Sequence, residues 1–125
     1  MSAIVNDLIT YLQDELSMRG HRGMKFLHEI NDFPSFYIHA GGERFVHIGG
    51  GQRLAIISCD ARIYNYSDNL EDIEKLLRRF EEATQRYFDE RADEFRIVEV
   101  STDEGLMSPN QISDIKLEIL YRKIK

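Results

Sequence analysis

With 16 basic and 22 acidic residues among 125, the chain carries a formal net charge of −6. That size fits one domain, residues 1–125, able to bury a core without staples, and the acidic balance argues against a general nucleic-acid binder. A single cysteine excludes an internal disulfide framework, and no apolar run approaches the roughly 18 residues of a membrane span.

The N-terminus, MSAIVNDLITYLQDEL, lacks the basic region of a signal peptide and is amphipathic. Synthesis and folding in cytoplasm are therefore expected. Ser2 can cap a first helix running to about Met18, with Ile4, Val5, Leu8, Ile9, Leu12 and Leu16 in one apolar stripe. Gly20 and Gly23 bracket the expected stop. Met24 to Ile30 is ambiguous between strand and irregular segment, and Asp32-Phe33-Pro34 is a breaker that opens an extended run. Phe36 to Ala40 and Phe45 to Ile48 read as two short strands, with Gly41 to Arg44 between them as a hairpin turn. Gly49-Gly50-Gly51 makes a second turn, and its spacing and position before a strand fit no phosphate-binding loop.

The stretch Arg53 to Tyr66, RLAIISCDARIYNY, organises the rest. Ala55, Ile57, Cys59, Ala61 and Ile63 share one side of a period-two strand and face a core, while the other side turns polar after Ile56. A long helix follows from Asp68, whose spacing to Glu71 suits a capping box. Its stripe of Leu70, Ile73, Leu77, Phe80, Thr84 and Tyr87 is expected to pack on Ile57, Cys59, Ala61 and Ile63. Ten acidic and five basic residues lie between Asp68 and Glu94, so most of the net charge sits on this helix. Phe95 to Ser101 is a strand, Thr102 to Ser113 a loop, and Asp114 to Arg122 a last strand with clean alternation. The expected class is α+β in the order α-β-β-β-α-β-β, two helices packed on a mostly antiparallel sheet.

No catalytic, cofactor or metal motif emerges. Cys59 lies on the apolar side of its strand, where thiols are usually packing. His39 and His47, on the two arms of the expected hairpin, face each other in one register only. Asp60 and Arg62 are same-face neighbours, a spacing that suits a simple salt bridge.

Surplus apolar surface is the informative feature. Two helices cover about one face of a five-stranded sheet, yet Phe36, Ile38, Phe45, Val46, Ile48, Leu54, Ile56 and Tyr64 put apolar groups on both faces of the meander. Such patches commonly mark interaction sites, so these residues are the expected subunit interface, with a sheet curled on itself as the alternative.

The layout resembles the tail terminator (tail completion) proteins of long-tailed bacteriophages. The matching features run in order. An amphipathic first helix leads to the Pro-initiated DFPSFYIHAGGERF. A glycine-rich turn then enters RLAIISCDARIYNY, and a long charged helix, a strand, the loop TDEGLMSPNQISD and a last alternating strand ending in Tyr121-Arg122 follow. The resemblance spans nearly the whole chain and carries no catalytic residues. It implies a structural virion protein. Such proteins form a ring, typically hexameric, at the head-proximal end of the tail. The ring stops polymerisation of the tail tube protein and docks the head connector, while DNA passes through without being read. The excess of acid is compatible with a lumen that does not grip phosphate. Tube or connector contacts are assigned, within that resemblance, to Asp103, Glu104, Leu106 and Met107. The competing expectations are a small adaptor or inhibitor that binds one protein partner, and a small-ligand enzyme of unknown type.

Overall fold

The computed structural model describes residues 2–91, 93–103 and 109–124, with side chains at 3–91, 93–103 and 109–121. The chain order is α1 (Ser2–Leu16), β1 (Arg19–Arg22), a 3-10 turn (Leu27–Glu29), β2 (Ser35–Gly49), β3 (Gln52–Tyr66), α2 (Leu70–Arg91), β4 (Glu94–Thr102) and β5 (Asn110–Ile124). The five strands form one sheet in the order β1-β2-β3-β5-β4, antiparallel throughout except for the parallel β1–β2 pair. The architecture is therefore α+β, in the expected order of helices and strands.

The identity of the early strands differs from expectation. Phe36 to Ile48 is not a hairpin: Gly41 to Arg44 continue a single strand, and β2 pairs with β3 along its whole length. The glycines there make a bulge between Ala40 and Gly42 rather than a turn, which one extra residue can do without breaking the ladder. The chain reverses at Gly49-Gly50-Gly51, with φ of 91°, 61° and 75°. Three successive left-handed residues explain why no side chain stands at this turn. The place of the missing third strand is taken by β1, a short segment whose mixed RGHR sequence has no strand periodicity.

Ends of helices also shift. α1 stops at Leu16, before the glycines. Ser17 adopts a left-handed φ of 53°, and the Met18 N–H donates to the Gln13 carbonyl at 3.3 Å, a closure of the Schellman type. The Arg79 guanidinium donates to the freed Leu16 carbonyl at 3.2 Å. Gly20 serves packing instead: a Cβ there would lie 2.8 Å from Phe36 and 2.9 Å from Ile9. The α2 cap is Asn69 rather than Asp68, its Oδ1 accepting the Glu71 N–H at 3.0 Å.

Both helices cover the same face of the sheet. Leu8, Ile9 and Leu12 of α1 and Ile73, Phe80, Ala83, Tyr87 and Phe88 of α2 meet Ile57, Cys59, Ala61 and Ile63 of β3, with Phe36 and Ile38 of β2 and Ile115, Leu117 and Ile119 of β5. Leu77 packs at the margin of this core, whereas Leu70 is 52 % exposed, because the helix begins there and the sheet does not reach it. The two helices are latched to each other. Tyr87 donates its hydroxyl to Asp7 at 2.7 Å, and the Arg91 guanidinium lies over the Tyr87 ring at 3.7 Å. Asp7 and Tyr87 are 80 residues apart in sequence, so their bond forms only once the sheet has brought the helices together.

Candidate functional site

Among the described residues the other face of the sheet carries no α-helix. At one end a small cluster of Ile30, Tyr37, Tyr64 and Ile112, with Leu27 beside it, is covered by the segment containing the 3-10 turn. The Tyr64 hydroxyl donates to the Lys25 carbonyl and ties that segment down. Along the middle the surface is charged. Glu118 accepts from Arg44 at 3.1 Å and from Arg96 at 2.6 Å, and Arg62 grips Asp114 with two parallel bonds. Lys116 lies 3.6 Å from Glu99. Ile56 is buried on this polar face, with Arg44 and Leu120 as its cross-strand neighbours. The expected Asp60–Arg62 bridge is not made. Arg62 takes its carboxylate from the next strand, where a planar fork meets it side by side, and Asp60 stands between His39 and Lys116 in the ladders.

At the far end the sheet outruns its cover. Every residue from Arg44 to Gly51 is exposed. Phe45, Val46 and Ile48 are 39 %, 46 % and 47 % exposed. Phe45 pairs with Ala55 on the helix side, and Val46 with Leu54 on the open side. The apolar groups therefore lie on both sides of a distal arm built from the ends of β2 and β3, with β5 paired along β3 as far as Ile124. The Arg53 guanidinium caps the Phe45 ring at 4.0 Å from its centroid, and Tyr121 donates to Glu43. Burial and this bond hold the Tyr121 phenol up to about 12.

Of the eight residues expected at a subunit interface, the fold divides the set. Phe36, Ile38, Ile56 and Tyr64 are already buried within the single chain. They offer no surface to a neighbour: Phe36 and Ile38 lie under the helices, Tyr64 lies under the segment with the 3-10 turn, and Ile56 is buried on the open face between Arg44 and Leu120. Phe45, Val46 and Ile48 remain on the surface and Leu54 is half-buried. Asp103 lies at the end of β4, its N–H donating to the Ile112 carbonyl at 2.9 Å. Glu104, Leu106 and Met107 lie outside the described residues. Val98 and Val100 on β4, 59 % and 39 % exposed, belong to the surface apolar set and were not singled out in the sequence. They lie at and just past the bulge between Ile97 and Glu99 on the edge strand, whereas Phe95 and Ile97 before it pack against the core.

The remaining candidates for chemistry are scattered. His39 and His47 lie on one strand, opposite Asp60 and Arg53, rather than facing each other. Cys59 is in the core, and burial raises its thiol from 9.0 to about 12. A shallow cleft of about 320 Å³ on the open face is lined by Met24, Tyr37, Asp60, Arg62, Asp114 and Lys116. Two of its cations are already paired, Arg62 with Asp114 and Lys116 with Glu99. No helix among the described residues is long and apolar enough to cross a membrane. No family model and no curated protein matches the chain.

Proposed function

We propose that this chain is a ring-forming structural subunit of the tail-terminator kind, which ends a phage tail tube and presents a surface to the head connector. The observation that carries the reading is the distal arm. Three large apolar side chains, Phe45, Val46 and Ile48, remain partly exposed on a strand that continues past its own helices, Phe45 beneath the Arg53 guanidinium. A domain that worked alone would cover or charge such a strand end. Head-to-tail contact between copies covers it without new sequence, and repetition of such a contact closes into a ring when the rotation allows. The reading assigns no catalytic step to any residue. The arm's place at one end of the sheet, away from the α1–α2 layer, suits a contact made around a ring rather than across a flat dimer face. DNA in the lumen would meet a chain with excess acid, so passage rather than gripping is expected.

Native mass tests the proposal. A ring gives a single species of about six chains. One or two chains would contradict it and fit an adaptor that binds one protein partner.

A further inference from the structure

The sheet has two edges, and they differ in character. On one side β1 pairs with β2 only from Ser35 to Ile38. Beyond Ile38 the register gives β2 a partner on its β3 side alone among the described residues, so within them the edge of the arm is open from His39 onward. On the other side β4 is the last strand, paired only with β5. An open strand edge is a row of backbone donors and acceptors ready to receive another strand.

The two edges are complementary. The arm carries His47, Arg44, which also meets Glu118, and Arg53, which lies over Phe45, against one acid, Glu43, which accepts from Tyr121, beside Val46 and Ile48. The β4 edge and its flanks carry Asp93, Glu94, Glu99, which also meets Lys116, and Asp103 against one base, Arg96, which is paired with Glu118, beside Val98 and Val100. In the β2 arm the ladder is regular from Gly42 to His47, with no bulge or proline to blunt it. In β4 the bulge between Ile97 and Glu99 leaves the stretch Glu99 to Thr102 as the regular portion. Val100 shares the helix-side face with Phe45, since their partners Ile115 and Ala55 both belong to that face. Continuing the sheet from one copy to the next would put apolar side chains on the same side of the junction, where cross-strand pairs stabilise a sheet.

We propose that the arm of one copy docks on the β4 edge of the next, so that the sheet runs on from subunit to subunit. This deepens the ring reading and rests on it. The occupant of each edge is a second copy of this chain. The contact is heterologous: one end of the sheet meets the other, and each copy uses both.

Two substitutions at exposed positions separate the halves of the junction. Val46→Asp adds an acid to the arm, and Val100→Asp adds one to the edge. Each purified variant, folded by circular dichroism, is expected to weigh one chain by light scattering, where the wild-type protein weighs about six. An equimolar mixture of the two is expected to weigh two chains, because each supplies the half that the other lacks and the remaining Asp-to-Asp junction stays open. If the wild type is monomeric, the ring reading fails and this proposal fails with it. If the wild type forms a ring and Val100→Asp leaves it intact, the ring stands and the β4 junction is wrong. Loss of assembly by Val46→Asp with a mixture that remains monomeric also overturns it. If a folding defect removes either variant, Phe45→Asp and Val98→Asp repeat the same mixture with the same outcomes.

Discussion

Phe80 and Leu70 belong to one sequence stripe on α2, and the fold gives them opposite fates. Phe80 is 1 % exposed, its ring edge-on to Phe36 with centroids 5.9 Å apart. An aromatic side chain takes about 150–250 Å² out of water, which at about 25 cal/mol per Å² amounts to about 4–6 kcal/mol. Alanine keeps part of that burial and the site relaxes in part, so Phe80→Ala is expected to cost about 3–5 kcal/mol. Leu70 is half exposed at the first turn of the helix, and Leu70→Ala is expected to stay within about 0.5 kcal/mol. Urea titrations of both variants at one protein concentration measure the contrast. A Phe80→Ala loss below about 1 kcal/mol, or equal losses for the two, would mean that the helix face is wrongly placed.

Three further expectations follow from single contacts. Gly20→Ala forces a methyl against Phe36 and Ile9 and is expected to cost about 1–3 kcal/mol in the same titration; a neutral result would mean that α1 lies further from β2. The Cys59 thiol is expected to stay unreactive to a thiol reagent at pH 8 until the protein is unfolded. Folding favours its protonated form, so its contribution to stability is whole below 9.0 and is lost as pH rises toward about 12; Cys59→Ala removes that part of the alkaline slope in pH-dependent unfolding. Glu118→Gln removes the charge shared by Arg44 and Arg96, both more than half exposed, and is expected to cost about 1 kcal/mol at low salt and less at high salt.

Periodicity made the helices, the organising strand and the Asp114–Arg122 part of the last strand legible, because one face of each meets the core at a fixed period; β5 begins earlier, at Asn110, inside the expected loop. The stripe of α1 and the alternation from Ala55 to Ile63 both reached the core as read. What periodicity could not separate was a bulge from a turn. Gly41-Gly42 can serve either, and only the partner strand decides, since Ala40 and Gly42 pair with Cys59 and Ser58 in succession. β1 was invisible because its pairing to β2 is a tertiary event: Gly20 is buried by Phe36 and Ile9, not by a pattern of its own. The candidate surface was half legible. Residue type marked Phe45, Val46 and Ile48 as apolar, but whether an apolar strand residue is covered depends on where the helices end. That is why Phe36 and Ile38 lie inside while Val46 and Ile48 lie outside. Val98 and Val100 carry no sequence signal of an edge, which is a property of strand order.

A chain of the proposed tail-terminator kind would end a growing tube. Tail-tube subunits from the same source are allowed to polymerise with increasing amounts of the purified chain, and tube lengths are read by electron microscopy. The account predicts shorter tubes of limited length as the chain approaches saturation, each with a ring at one end. Tubes that grow as long at saturating chain as without it would contradict the account.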